Sequence, residues 1–118
     1  MDISMKHIKY DRRNAIELLP LLAAIGREIQ DRNKALQRLE AEIARLEKSK
    51  STSTLTGRLH GLIAEIATHR KGLRVAKVEL ERLGCSVVGT EPLTFRIPGR
   101  VGEANHSFVW QTGNPVLQ

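Results

Sequence analysis

The chain has 118 residues, a formal net charge of +6 and only 3% aromatic residues. This length suits one domain rather than two, and no apolar run approaches the roughly eighteen residues that a membrane span needs. The single cysteine, Cys85, excludes a disulfide framework within the chain and predicts a reducing, cytoplasmic location. We therefore expect one domain over residues 1–118 that has no membrane partner.

The first long element is an amphipathic helix predicted over residues 10–49, after a loose arm or edge strand at residues 1–9. Asp11 is a candidate N-cap. Pro20 lies inside the periodic pattern without shifting its phase, which favours a kink over a break. Seam residues recur at alternating steps of three and four, a spacing that places them on one side of a helix. They are Ala15, Leu18, Leu22, Ile25, Ile29, Arg32, Leu36, Leu39, Ile43 and Leu46.

A second helix is predicted over residues 52–84, after a polar turn at Lys48–Thr54. One of the hydroxyl side chains of this turn (Thr52, Ser53 or Thr54) should cap the helix, and Gly84 should end it. The seam of this helix again contains one polar residue, His69. Its members are Leu55, Leu59, Leu62, Ile66, His69, Leu73, Ala76, Leu80 and Leu83.

The two seams predict a hairpin, because they match when the chain folds back near Lys50. Leu46 then faces Leu55, Leu39 faces Leu62, and Arg32 faces His69. A polar layer in an apolar seam penalises slipped pairings, so we interpret Arg32 and His69 as a device that fixes register. The alternative interpretation is a functional pair.

After Gly84 the pattern changes to short alternating strands, predicted at Cys85–Val88, Leu93–Ile97 and His106–Gln111. Turn residues at 89–92 and 98–105 should separate them, which gives a small sheet over residues 85–112. Its aromatic residues need an apolar surface, so we expect the sheet to bury Trp110 against the helices near Leu19–Ile25 and Val75–Val78. The predicted fold class is mainly α: a long antiparallel, coiled-coil-like helical hairpin with a C-terminal antiparallel β-meander docked at its open end.

Three stretches carry a resemblance to a known family. In the first, Tyr10–Pro20, an aromatic and a capping residue precede an Ala and Leu-Leu-Pro. The second, Gly84–Val88, lies where the second helix leads into a strand. In the third, Phe108–Pro115, a strand with Trp110 leads into Gly-Asn-Pro. Together they resemble a bacterial family of short proteins, domain of unknown function 2203. The family usually has a Cys where this chain has Val109. The resemblance implies a similar fold and no particular activity.

No catalytic or metal-binding motif is recognisable in the sequence. It has no glycine-rich phosphate loop, no paired cysteines and no His-Glu-x-x-His helix. Cys85 follows a helix C-terminus, where the helix dipole disfavours a thiolate, so we expect an inert packing thiol. The sequence therefore predicts a protein that is not an enzyme, with no catalytic, cofactor-binding or metal-binding residues and no cofactor.

Basic residues cluster on the second helix at Arg70, Lys71, Arg74 and Lys77. The interpretation that we favour is a solvated helix face. The alternative is a patch that binds a polyanion or nucleic acid by backbone electrostatics, without base stacking, because no aromatic residue lies among these cations.

Small and apolar residues outside the seams suggest self-association. They are Ala41 and Ala44 on the first helix, and Gly57, Gly61, Ile63 and Ala64 on the second. The glycines are either exposed, weakly helical positions or places where another backbone approaches closely. We expect a homodimer whose interface lies on the residue 40–66 half, and a non-enzymatic interaction or scaffold module as the function.

Overall fold

The computed structural model describes residues 9–48, 53–114 and 116–118, with side chains at 53–55 excepted. Two long helices are followed by three antiparallel strands, so the predicted, mainly helical fold class is confirmed. The elements are α1 (Arg12–Glu47), α2 (Ser53–Leu83), β1 (Ser86–Thr90), β2 (Leu93–Val101) and β3 (Ala104–Gln111). None of the described helices is long and apolar enough to cross a membrane.

Three predictions fall wholly or partly outside the described residues. They concern the arm or edge strand at residues 1–9, the turn and cap at residues 48–54, and the meeting of Leu46 with Leu55. Within the described residues, Tyr10 forms an isolated parallel bridge with Gly99 of β2.

The helix ends follow the predicted capping chemistry. The Asp11 carboxylate accepts a hydrogen bond from the backbone N–H of Asn14 at 2.7 Å, which satisfies a free donor of the first turn. α1 continues through Pro20 without a break. At the end of α2, Gly84 has a φ of 77°, and the backbone N–H of Cys85 donates to the carbonyl of Leu80 at 2.9 Å. This pairing, with a left-handed glycine, is the Schellman arrangement.

Residue contacts divide the chain into two compact units. One unit, which we call the sheet unit, comprises residues 1–27 and 76–118, and the other, the helical unit, comprises Glu28–Val75. Each unit is described below by itself. The prediction of a single domain over residues 1–118 stays a prediction.

The core of the sheet unit is formed by one face of the antiparallel sheet, in the order β1-β2-β3. Phe95 of β2 pairs with Trp110 of β3, and Ile97 pairs with Phe108. All four side chains are buried, Trp110 with 5% of its surface exposed, because alternate residues of a strand point to the same face. The rings of Phe95 and Trp110 are stacked with centroids 6.2 Å apart.

The sheet approaches α1 at Gly26, which is a buried glycine. A Cβ atom at this position would lie 3.1 Å from the Thr112 methyl group and 3.3 Å from side-chain atoms of Leu93 and Phe95. The absence of a side chain at Gly26 therefore lets the sheet lie close to the helix backbone.

Two predictions about the sheet are wrong. Val78 does not form its docking surface, because it is 42% exposed, and Val75, which is 53% exposed, belongs to the helical unit. The segment 98–105 is not a separator, since β2 and β3 run through most of it and only Gly102 and Glu103 form the turn. Gly102 has a φ of 62°, as the first central residue of a type II′ hairpin turn does.

Pro98 is compatible with the middle strand because β2 extends beyond β1. The backbone N–H of Tyr10 donates to the carbonyl of Pro98, and that of Arg100 donates to the carbonyl of Tyr10, both at 2.9 Å. The Pro98 nitrogen faces this same edge, so the ladder with β3 loses no donor. The sequence had suggested that Pro98 ends a strand, but β2 continues through it.

The helical unit is held together by the predicted seam. Leu39 of α1 and Leu62 and Ile66 of α2 form a buried cluster, against which Leu36, Ile43 and Leu46 pack. The predicted meeting of Leu39 with Leu62 is thus present. The core is thin, because each helix segment of the unit buries one side only.

Candidate interaction surface

The polar layer of the seam lies in the helical unit. Arg32 Nη1 is 3.2 Å from His69 Nδ1, so these residues face each other as their spacing predicts. Arg32 Nε also donates to the Glu28 carboxylate at 2.7 Å, one helical turn earlier. His69 is half-buried, and the Arg32 side chain is 26% exposed. Whether this layer fixes register stays a prediction.

Gly72 makes room for this layer. A Cβ atom at Gly72 would overlap the guanidinium group and the Cδ atom of Arg32. The arginine can therefore lie across α2 only because position 72 has no side chain. Gly72 is explained by packing within the chain, as is Gly26.

Unlike Gly72, Gly57 and Gly61 have free space among the described residues where a side chain would begin. Both are exposed, and a Cβ atom added to either would have no described atom of another part of the chain within 4 Å. Ala64, three residues after Gly61, is exposed as well. We call Gly57, Gly61 and Ala64 the glycine flank. Packing within the described chain gives no reason for glycine here, although each glycine in a helix costs about 1 kcal/mol relative to alanine.

The other predicted self-association residues lie elsewhere around the helices. Ile63 is 55% exposed, but two residues of helix turn it about 160° away from Gly61. Ala41 and Ala44 are exposed and lie about 160° and 140° around α1 from buried Leu39. The six residues therefore do not all lie on one face, and their part in self-association stays a prediction.

Ion pairs join the two helices beside the glycine flank and beside Ile63. Beside the glycine flank, Nε and Nη2 of Arg58 both donate to the same carboxylate oxygen of Glu42, Nε at 3.1 Å. On the side of Ile63, Arg70 Nη2 donates to Glu40 at 3.2 Å. Exposed pairs of this kind add little stability, but they set which charges a partner would meet.

The predicted basic patch is only partly available. Arg70 is engaged with Glu40, whereas Lys71 and Arg74 are exposed on the same helix. Lys77 is exposed too but belongs to the sheet unit. Of the four predicted patch residues, Lys71 and Arg74 are thus the two of the helical unit that no ion pair among the described residues engages.

The described residues contain no group of three or more His, Cys, Asp or Glu side chains that could hold a metal ion. Burial raises the pKa of the Cys85 thiol to about 11, against a smaller opposing effect of Arg96. Burial also raises the pKa of Tyr10, whose hydroxyl donates to the carbonyl of Leu83 at 2.9 Å. Both groups therefore remain protonated at neutral pH, where neither is a ready nucleophile.

Sequence reasoning missed three positioning residues. Gly26 and Gly72 were not recognised as places of close approach, and Tyr10 was not recognised as the tie between the sheet and the end of α2. Gly26 comes directly after the seam residue Ile25, and a glycine next to a buried seam could have indicated a close contact. Gly72 follows His69 by three residues, on the same side of the helix.

No curated protein and no solved structure matches this chain. A family model described as "Uncharacterized conserved protein (DUF2203)" matches residues 9–118, which include the whole of both helices and the sheet. The chain therefore belongs to the DUF2203 family.

Proposed function

We propose that this protein is a non-enzymatic interaction module that self-associates through the glycine flank of its helical unit. The observation that carries the proposal is the open space beside Gly57 and Gly61. The Cβ position of Gly72 overlaps the Arg32 side chain, and that of Gly26 lies within 3.1–3.3 Å of three side chains, but neither Gly57 nor Gly61 has a described atom of another part of the chain within 4 Å. A second copy that packs its backbone there would use the missing side chains.

The glycine flank suits a second copy better than the Ile63 side does. A single exposed isoleucine is ordinary on a protein surface and requires no partner. Two glycines and an alanine within about two turns let helix axes approach closely, and a two-fold dimer would bring two such flanks together as a four-helix arrangement. The exposed pair Arg58–Glu42 borders the flank, and in such a dimer it would lie near the edge of the interface.

Molecular mass in solution tests this proposal. Light scattering over a concentration series should approach twice the monomer mass of 13.2 kDa. Gly61→Gln should shift the protein to monomer without unfolding it, because glutamine has a higher helix propensity than glycine. Ile63→Gln is the matched control on the opposite side and should remain dimeric. A monomeric unmodified protein at high concentration would refute self-association, and dissociation by Ile63→Gln alone would refute the glycine flank.

A second candidate function, binding of a polyanion, is supported by exposed Lys71 and Arg74. Retention on heparin should then fall steeply with salt, because binding releases counterions. The double variant Lys71→Gln/Arg74→Gln should elute at lower salt, whereas Arg58→Gln, which removes a cation paired with Glu42, should elute nearly as the unmodified protein does. Equal elution of all three proteins would exclude this patch.

A further inference from the structure

The charged residues of α1 in the helical unit are segregated around the helix. Three of its glutamates lie within about 100° of the seam residue Ile43, and an arginine of the chain contacts each of them. The pairs are Glu28–Arg32, Glu40–Arg70 and Glu42–Arg58. The negative charge of these glutamates is therefore already matched within the unit.

The opposite side of α1 carries three cations. Lys34, Arg38 and Arg45 lie about 140° to 180° around the helix from Ile43, and all three are exposed. We call them the basic stripe. Lys34 and Arg38 form no ion pair among the described residues, and Arg45, with 75% of its side chain exposed, only approaches Glu42 at 4.0 Å. The stripe therefore presents positive charge that the described chain leaves largely unmatched.

The basic stripe is a row along the helix rather than a compact cluster. From Lys34 to Arg45 it extends about 16.5 Å, at about 1.5 Å per residue. Exposed Ala41 lies between Arg38 and Arg45 on the same side, so a partner can approach the helix closely there. Asp31 is exposed at one end of the row, and no ion pair among the described residues joins it to Lys34. Such a row fits a linear polyanion better than a single small anion.

The composition of the stripe favours a phosphate backbone over a membrane surface. Two of its three cations are arginines, whose planar guanidinium groups bind phosphate through paired hydrogen bonds. Helices that lie on membranes insert large apolar side chains, and the leucines of α1 in the helical unit lie on the seam side instead.

The stripe also favours a double-stranded partner. No aromatic residue lies on this part of α1, so the bases of a single strand would find no ring to stack on. The major groove of B-form DNA, about 12 Å wide, admits an α-helix, whereas the major groove of double-stranded RNA is deep and narrow.

We infer that the basic stripe of α1 is a binding surface for the phosphate backbone of double-stranded DNA. Each of its three cations neutralises one phosphate, and binding releases the counterions that these phosphates hold. The contacts position the helix on the duplex and carry no sequence information. This surface is separate from Lys71 and Arg74 of α2, and it does not depend on self-association through the glycine flank.

Fluorescence anisotropy of a labelled DNA duplex of mixed sequence tests the inference. Between about 50 and 200 mM salt, the affinity of the unmodified protein should fall about fortyfold, as three phosphate contacts require. Lys34→Gln/Arg38→Gln should bind more weakly and lose only about three- to fourfold over the same range, because one contact remains. The matched control Arg58→Gln/Arg70→Gln lowers the net charge equally but removes cations that are already paired with glutamates, so it should behave nearly as the unmodified protein does.

Several outcomes would overturn the inference. One is no binding of the unmodified protein at the lowest salt, and another is equal weakening by the two double variants, which would reflect net charge alone. Weakening confined to Lys71→Gln/Arg74→Gln would place the DNA on α2 instead. An RNA duplex of the same sequence and vesicles that contain phosphatidylserine complete the comparison, and tighter binding of either would exclude double-stranded DNA as the partner.

Discussion

The sheet unit and the helical unit use their apolar residues in different ways. The largest fully buried side chains, Phe95, Phe108, Leu22 and Ile97, all belong to the sheet unit. The helical unit relies on a seam one side chain wide, centred on Leu39, Leu62 and Ile66. A Cβ atom would overlap the Phe108 ring at Gly99 of the sheet unit and would lie 3.1 Å from Thr112 at Gly26, whereas Gly57 and Gly61 of the helical unit have no described atom of another part of the chain within 4 Å. The comparison indicates that packing explains Gly26 and Gly99 of the sheet unit, while packing within the described helical unit leaves Gly57 and Gly61 unexplained.

The largest expected effect is loss of the Trp110 side chain. Trp110→Ala should lower the free energy of unfolding by about 3–5 kcal/mol, because it leaves a cavity and removes the stack on Phe95. It also removes the hydrogen bond from Nε1 to the carbonyl of Asn114, which is 2.6 Å long. Ile63→Ala in the helical unit is the matched control and should change the free energy of unfolding by less than about 0.5 kcal/mol, measured at low protein concentration. Similar losses for both variants in urea titrations would break the contrast between the units.

The second-largest expected effect is a low reactivity of the Cys85 thiol. With a pKa of about 11, Cys85 should react with iodoacetamide at pH 8 about a hundredfold more slowly than an ordinary cysteine, since the thiolate is the nucleophile. The control places a cysteine on the helical unit in a Cys85→Ser/Ala67→Cys variant, where the exposed thiol should react at the ordinary rate. Mass spectrometry of a time course measures both rates. Equal rates would mean that the core of the sheet unit is open to the reagent.

Two glycines of α2 should respond in opposite directions to alanine. Gly57→Ala should raise the free energy of unfolding of the monomer by up to about 1 kcal/mol, from helix propensity alone. Gly72→Ala should lower it by about 1 kcal/mol, because displacing Arg32 breaks two hydrogen bonds and the gain in propensity offsets only part of that loss.

The Arg32→Ala background provides the control for Gly72. Once the arginine is absent, Gly72→Ala should become stabilising, and the double-mutant cycle should give a coupling above about 1 kcal/mol. A destabilising effect that persists in this background would show that something other than Arg32 requires glycine at this position. Thermal unfolding at low protein concentration is sufficient for the measurement.

The smallest expected effect concerns the cap of α1. Asp11→Ala should cost about 1 kcal/mol, because the N–H of Asn14 loses its acceptor. Asp31→Ala, at an exposed position inside the same helix, should be neutral or slightly stabilising, since alanine is the better helix former. If both substitutions cost the same in urea titrations, the cap contributes nothing specific.

Much of the fold could be predicted because it depends on local periodicity. Steps of three and four placed Leu39 opposite Leu62 and Arg32 opposite His69, and a glycine after the last seam residue ended α2 where Gly84 does. The family likewise could be predicted from short stretches, and its model matches residues 9–118. These inferences needed no knowledge of which distant residues meet.

The errors arose where distant contacts override local signals. Pro98 appeared to end a strand. The Pro98 nitrogen, however, faces the edge at which Tyr10 lies, so β2 can continue through the proline. Val75 and Val78 seemed to offer an apolar surface for the sheet, yet it is Gly26 of α1 that the sheet approaches. The candidate residues are exposed as predicted, and the angle around a helix separates Ile63 from Gly61 even though they are close in sequence.

The contacts of Tyr10 and Arg12 also bear on the order of folding. Tyr10 bonds to the carbonyl of Leu83 across 73 positions, and Arg12 bonds to that of Leu117 across 105. The helical unit, by contrast, is one contiguous segment, Glu28–Val75, and its contact between Arg32 and His69 spans only 37 positions. Closing large loops is slow, so we expect the helical unit to form early during synthesis and the sheet unit to form only after β3 has left the ribosome. During that interval, the apolar side chains of the early part of α1 would be exposed to chaperones.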